Sequence, residues 1–166
     1  MEDLFGWRLA ALFILLPVLI LGANAAEAID IVATGACSET IGASDLVGGA
    51  GTDLQGAYES SSDEVAISII NTSGNDDNWR VDVKRTDSTW HGDFKLWVKR
   101  TGDGSGGGTI AGGGAYQEVG TAYSGFFSGT GDRNDIRVQL KLSGVSVQVP
   151  PHAYSASITY TVVDTL

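Results

Sequence analysis

Apolar and polar residues alternate with a period of two along most of this chain. The clearest runs lie in its last third. In residues 133–142, Ile136, Val138, Leu140 and Leu142 alternate with Asp135, Arg137, Gln139 and Lys141. In residues 154–163, Tyr154, Ala156, Ile158, Tyr160 and Val162 alternate with Ser155, Ser157, Thr159 and Thr161. A period of two places each apolar set on one face of a half-buried strand. These two runs are the organising strands of one half-buried sheet, and the rest of the chain is expected to supply their partners.

The same pattern recurs upstream. Ile29, Ile31 and Ala33 share one side of residues 28–34. Val65, Ile67 and Ile69 do so in residues 64–71, and Trp79, Val81 and Val83 in residues 79–85. In residues 93–100, Phe94, Leu96 and Val98 face inward, which sends Trp97 to the opposite face. Shorter strands are predicted at 116–119 and 122–128, and a weak one at 44–47. Residues 71–78 are dense in turn formers, so the strands on either side read as a hairpin. No helix of three turns is predicted beyond the leading segment. Seven to nine short strands punctuated by turns predict an all-β fold, an antiparallel β-sandwich of immunoglobulin-like or jelly-roll-like form. A small barrel is the alternative.

The leading segment changes the expected compartment. Residues 9–21 are almost purely apolar, too short for a bilayer span of ~20 residues. Ala23-Asn24-Ala25 follows as a small-x-small cleavage pattern, with Ala26-Glu27-Ala28 as a second choice. Residues 1–25 therefore read as a secretory signal peptide and residues 26–166 as one sandwich domain. The expected location is secreted, periplasmic or cell-surface, with no stable membrane span after cleavage. Cys37 is the one cysteine, so no disulfide forms within the chain. It is either a small buried residue or an intermolecular thiol. One cysteine and two separated histidines, His91 and His152, do not make a metal cluster.

Charge adds a further constraint. The net charge is −10, which argues against a nucleic-acid partner. It is unevenly spread: residues 26–79 hold ten acidic residues and no Lys or Arg, whereas nine basic and eight acidic residues follow. The acidic part is either a solvated face or an end that meets a more basic surface of a neighbour.

Candidate chemistry is sparse. Neither histidine accompanies a nucleophile motif, so no catalytic residues and no cofactor are assigned. Asp132, Asn134 and Asp135 carry oxygen ligands suited to Ca²⁺ but lack the spacing of a calcium hand, and turn chemistry accounts for them. The glycine-rich residues 101–114 have neither the following helix nor the lysine of a phosphate loop, and read as a flexible surface loop. Asn71-Thr72-Ser73 is an N-glycosylation sequon. Trp79 falls on a core face and Trp90 is expected to cap the core edge. Trp97, pointing outward, is the candidate ligand platform for a glycan.

The leading segment, the early Asp45-Leu46…Gly49-Ala50-Gly51 stretch and the ending 154–163 resemble secreted prokaryotic surface β-sandwich proteins, including spore-coat protein U-like and pilus-subunit-like families. Many such subunits carry a disulfide, which this chain cannot form. The resemblance implies a non-enzymatic extracellular structural or adhesive protein, completed by a strand from a neighbour and partnered by copies of itself in a homo-oligomer or filament. Ile29, Ile31 and Ala33 are the candidate donor strand. The competing expectation is a carbohydrate- or calcium-binding extracellular module.

Overall fold

The computed structural model describes residues 28–165. The expected signal peptide lies outside them. The described chain forms ten strands: β1 (Asp30–Gly35), β2 (Ala57–Glu59), β3 (Val65–Ile70), β4 (Asn78–Thr89), β5 (Lys95–Arg100), β6 (Ile110–Gly112), β7 (Gln117–Glu118), β8 (Ser124–Thr130), β9 (Arg133–Ser143) and β10 (Ser155–Asp164). They build a six-stranded sheet, ordered β1-β3-β9-β5-β7 with β2 also on β9, and a four-stranded sheet ordered β10-β4-β8-β6. Every pairing is antiparallel. The expected all-β sandwich is present.

The core is the sum of the alternating faces. Val65, Ile67 and Ile69 of β3, Ile136, Val138 and Leu140 of β9, and Leu96 and Val98 of β5 face Trp79, Val81 and Val83 of β4, Phe127 of β8, and Ile158 and Tyr160 of β10. Trp79 is fully enclosed, meets Phe127 edge-on at 6.1 Å, and its Nε1 donates to the Gly131 carbonyl at 2.8 Å. A smaller cluster of Ile41, Leu54, Phe94, Leu142, Val145, Val149 and Tyr154 seals one end under the loops. The Asp53 carboxylate ties two of those loops by accepting from Leu54 N and Val147 N at 2.8 and 3.0 Å.

Three connections differ from the sequence expectation. The two organising strands, β9 and β10, lie in opposite sheets, facing each other through the core rather than sharing one sheet. β3 and β4 are also in opposite sheets, so residues 71–77 form an arch and not a hairpin turn. Thr72 N and Oγ1 donate to the Asp132 carboxylate at 2.9 and 2.7 Å and fasten that arch to the other side of the molecule. Among the described residues no two consecutive strands pair with each other. The weak strand expected at 44–47 is instead a 3₁₀ turn, Ala43–Asp45, followed by a single bridge from Leu46 to Leu54. The Asp45 carboxylate accepts from Gly42 N there, so turn chemistry wins over extension.

The glycine-rich run is not a free loop. Residues 101–106 continue the line of β5 along β9: Arg137 N and Gly102 O, then Ser105 and Asn134, exchange backbone hydrogen bonds. Residues 101–109 thus carry the chain from β5 in one sheet to β6 in the other, shadowing the corner where β8 becomes β9. Side chains are excluded on the contacting side. A Cβ on Gly104, Gly106 or Gly108 would overlap the carbonyl oxygens of Asn134, Asp132 or Thr130 respectively. Glycine at every second position is what allows backbone to lie directly on backbone.

Candidate functional site

The outer face of the larger sheet gathers a group of aromatic and basic side chains around Trp97. Outward positions on neighbouring strands fall into rows. One row runs Glu59, Lys141, Trp97, Glu118 across β2, β9, β5 and β7. Flanking it, Lys95 lies opposite Ser143 and Lys99 opposite Gln139. Trp97 points outward, as its alternation with Leu96 and Val98 requires, and is half-buried. Its Nε1 donates to Ser143 Oγ at 2.9 Å, which fixes the indole plane.

Tyr116, just before β7, completes the group. Lys141 Nζ sits 3.8 Å from the Tyr116 ring centroid and 5.1 Å from that of Trp97. Lys99 Nζ lies 4.4 Å from the Tyr116 centroid. Ammonium groups at this range are attracted by the ring quadrupole. The Tyr116 hydroxyl is shielded from solvent and makes no hydrogen bond of good geometry. Burial, with the Glu59 carboxylate beside it, pushes its pKa up to about 12. Lys95 is paired with Glu118 at 3.5 Å, and Arg137 with Asp135 at 2.6 Å. Among the described residues Lys99 and Lys141 have no carboxylate within ion-pairing distance, leaving their charge available above the rings.

Sequence reasoning singled out Trp97 and missed Tyr116, Lys99 and Lys141. Lys99 and Lys141 alternate outward like Trp97, but only the β5–β9 pairing brings them together.

The other sequence candidates are placed as follows. Ile29, Ile31 and Ala33 rest half-buried against the core while β1 pairs along its whole length with β3 of its own chain, from Asp30↔Ile70 to Gly35↔Val65. Of the suggested calcium loop, Asp132 is taken up by Thr72, which holds its carboxyl below the usual carboxylate range, and Asp135 by Arg137. Among the described residues no three His, Cys, Asp or Glu side chains are gathered for a metal.

Cys37 borders a cleft of about 20 Å³ lined by Tyr58, Trp90, Leu96, Leu140 and Leu142, roughly the room one water needs. Burial first, then the charges of Glu64 and Glu39, push its thiol up to about 11. Trp90 does cap the core edge there, with its Nε1 donating to Phe94 O at 3.2 Å. The two histidines, far apart in sequence, both meet Tyr154 edge-on, His91 at 6.1 Å and His152 at 5.4 Å between ring centroids. Asn71 of the sequon is exposed, holds a left-handed φ of 62°, and its Nδ2 donates to the Asp30 carboxylate at 2.8 Å.

Fold and site together define a two-sheet antiparallel β-sandwich carrying an aromatic, lysine-covered outer face. No protein-family model matches the chain, and no curated protein or solved structure is significantly similar to it.

Proposed function

We propose that this protein is an exported, non-enzymatic structural or adhesive subunit of a surface assembly, in which β1 of one copy completes the sheet of the next. The observation that carries this reading is the position of β1. It is the first strand of the domain and is held by hydrogen bonds on one side only, to β3. Its inward side chains, Ile31 and Ala33, cover part of the core together with Ile29 just before the strand, and it lies beside β10 of the opposite sheet. Removing it would open a groove between β3 and β10. A second β1 could fill that groove with the same alternate side chains and the same backbone pairing. β10 adds to the argument as a ten-residue edge strand with one neighbour. The remaining strands with a single neighbour, β2, β6 and β7, are short, the usual protection against unwanted pairing.

Donated from each copy to the next and not reciprocally between two, β1 makes a head-to-tail contact that generates open filaments rather than closed dimers. It also requires that the leader be removed, after Ala25 or Ala28, so that the strand has a free end. The test is deletion of residues 26–34 and their return as a peptide. The expected results are loss of oligomers, a less stable monomer, and recovery of its melting temperature with the peptide. A full-length processed protein that stays monomeric at high concentration, with no filaments by electron microscopy, would refute the reading.

A further inference from the structure

We infer that the outer face of the larger sheet is a binding site for an acidic polysaccharide, with Lys99 and Lys141 meeting the anionic groups and Trp97 the sugar rings. This does not depend on strand exchange: the face lies on β5, β7 and β9, away from β1.

The charge distribution is the first observation. In a chain of net charge −10, three of the four lysines, Lys95, Lys99 and Lys141, project from two adjacent strands onto one face, and Arg137 joins them. Like charges set this close oppose folding, and the fold offsets them with ring faces, with two carboxylate pairs and with Glu59 opposite Lys141 on the next strand, beyond ion-pairing distance. Lys99 and Lys141 are left as the cations a ligand would reach.

The surroundings select the ligand class. Trp97 and Tyr116 are both half-buried and the Trp97 indole is tied to Ser143 of the neighbouring strand, which suits contact with a sugar ring better than insertion into a bilayer. The Ser143 hydroxyl, which accepts from Trp97, keeps its own proton to donate, and Gln139, which donates Nε2 to Ser60 O, keeps its Oε1 to accept. These groups match hydroxyl-rich ligands. The site is an open face and not a pocket, so a polymer lying across it makes more contacts than a monosaccharide. Lys99 and Lys141 hold their ammonium groups 4.4 and 3.8 Å from the same Tyr116 centroid, so together they make one cationic point beside Trp97, which suits a carboxylate carried on a sugar ring. Duplex DNA, at one charge per ~1.7 Å, would meet the repulsion of the surrounding acidic surface far more strongly.

The experiment is titration of the purified protein with polygalacturonate, with dextran as the neutral sugar and poly-L-glutamate as the polyanion without sugar rings. The variants are Lys99→Gln/Lys141→Gln, Trp97→Phe, and Lys84→Gln as a control. Lys84 sits over Tyr123 on the other sheet, 4.5 Å from its centroid, so it removes an equivalent cation elsewhere. The double variant should bind polygalacturonate about tenfold more weakly at low salt, with an unchanged melting temperature. Lys84→Gln should bind as the parent does, and added salt should weaken the parent more than the double variant. Absence of binding by the parent overturns the inference, as does equal loss in Lys84→Gln. Equal binding of poly-L-glutamate would make the face a general polyanion or acidic-peptide surface and overturn it too. Loss of self-association in the double variant without loss of polygalacturonate binding would assign the face to contact between copies instead.

Discussion

Replacing Gly106 or Gly108 by alanine tests whether residues 101–109 are packed backbone or a free loop. At each position an added Cβ would overlap a carbonyl oxygen, that of Asp132 or Thr130, and neither oxygen belongs to a side chain that can swing away. Neither glycine has a left-handed φ, so the cost is steric. Forcing a methyl group into a packed site costs about 1–3 kcal/mol. Gly114, a few residues on, is the matched control: a Cβ there meets nothing within 4 Å and its φ is not positive. Gly114→Ala should be neutral or stabilise by about 0.4–1 kcal/mol, through the lost freedom of the unfolded chain. Urea denaturation reads the difference. With m of about 2 kcal/mol/M, the two classes of variant should differ in midpoint by about 1 M, with m itself unchanged. If Gly106→Ala and Gly108→Ala are as benign as Gly114→Ala, the segment is not laid on the β8–β9 corner and the argument fails.

Three other outcomes are expected. Leu140→Ala or Ile158→Ala, both at core positions, should cost about 2–5 kcal/mol, while the outward Thr159→Ser should stay within about 0.5 kcal/mol in the same denaturation assay. Asp132 has a folded pKa held below its unfolded value by Thr72 Oγ1 and then Thr72 N, so its contribution is fully present above the ordinary value of about 3.9 and is lost as pH falls through the lowered folded value. Asp132→Asn should accordingly flatten the acid limb of a stability–pH profile, and an unchanged limb would show that the arch is not fastened there. Cys37, with its thiol raised to about 11, should react with a thiol reagent at pH 8 roughly a hundredfold more slowly than a free cysteine, and rapid labelling would contradict its burial.

Much of the core was legible in the sequence because alternation reports a face. Ile67, Val81, Val98, Leu140 and Ile158 are inward as their spacing requires, and Trp97 is outward for the same reason. Alternation does not report a partner. The polar stretch 71–77 has the chemistry of a hairpin turn and also that of an arch, and nothing local separates the two. Its length was the available signal, since hairpin loops are commonly two to five residues. The glycine run was misjudged by composition. Its period of two at Gly102, Gly104, Gly106 and Gly108 is a strand-like signal that glycine content alone conceals. The lysine and tyrosine neighbours of Trp97 were hidden for a third reason: they meet only once β5 and β9 are hydrogen-bonded side by side.

The absence of paired neighbours along the described chain bears on how this protein reaches its native state. β9 is the hub of the larger sheet, bonded to β2, β3 and β5, and β10 closes the smaller one. Each of these partners is separated from its mate by dozens of intervening residues. No local hairpin is there to nucleate, so the closure entropy of long loops must be met before any sheet contact repays it. Folding should therefore fall in the slow, millisecond-to-second range of all-β topologies. During synthesis, β1, β2, β3, β5 and β7 emerge before β9, the hub of their sheet, and β4, β6 and β8 emerge before β10 closes the other, so neither sheet is complete until nearly all of the described chain is free of the ribosome. A polypeptide built in this order completes neither of its sheets until its last two strands appear.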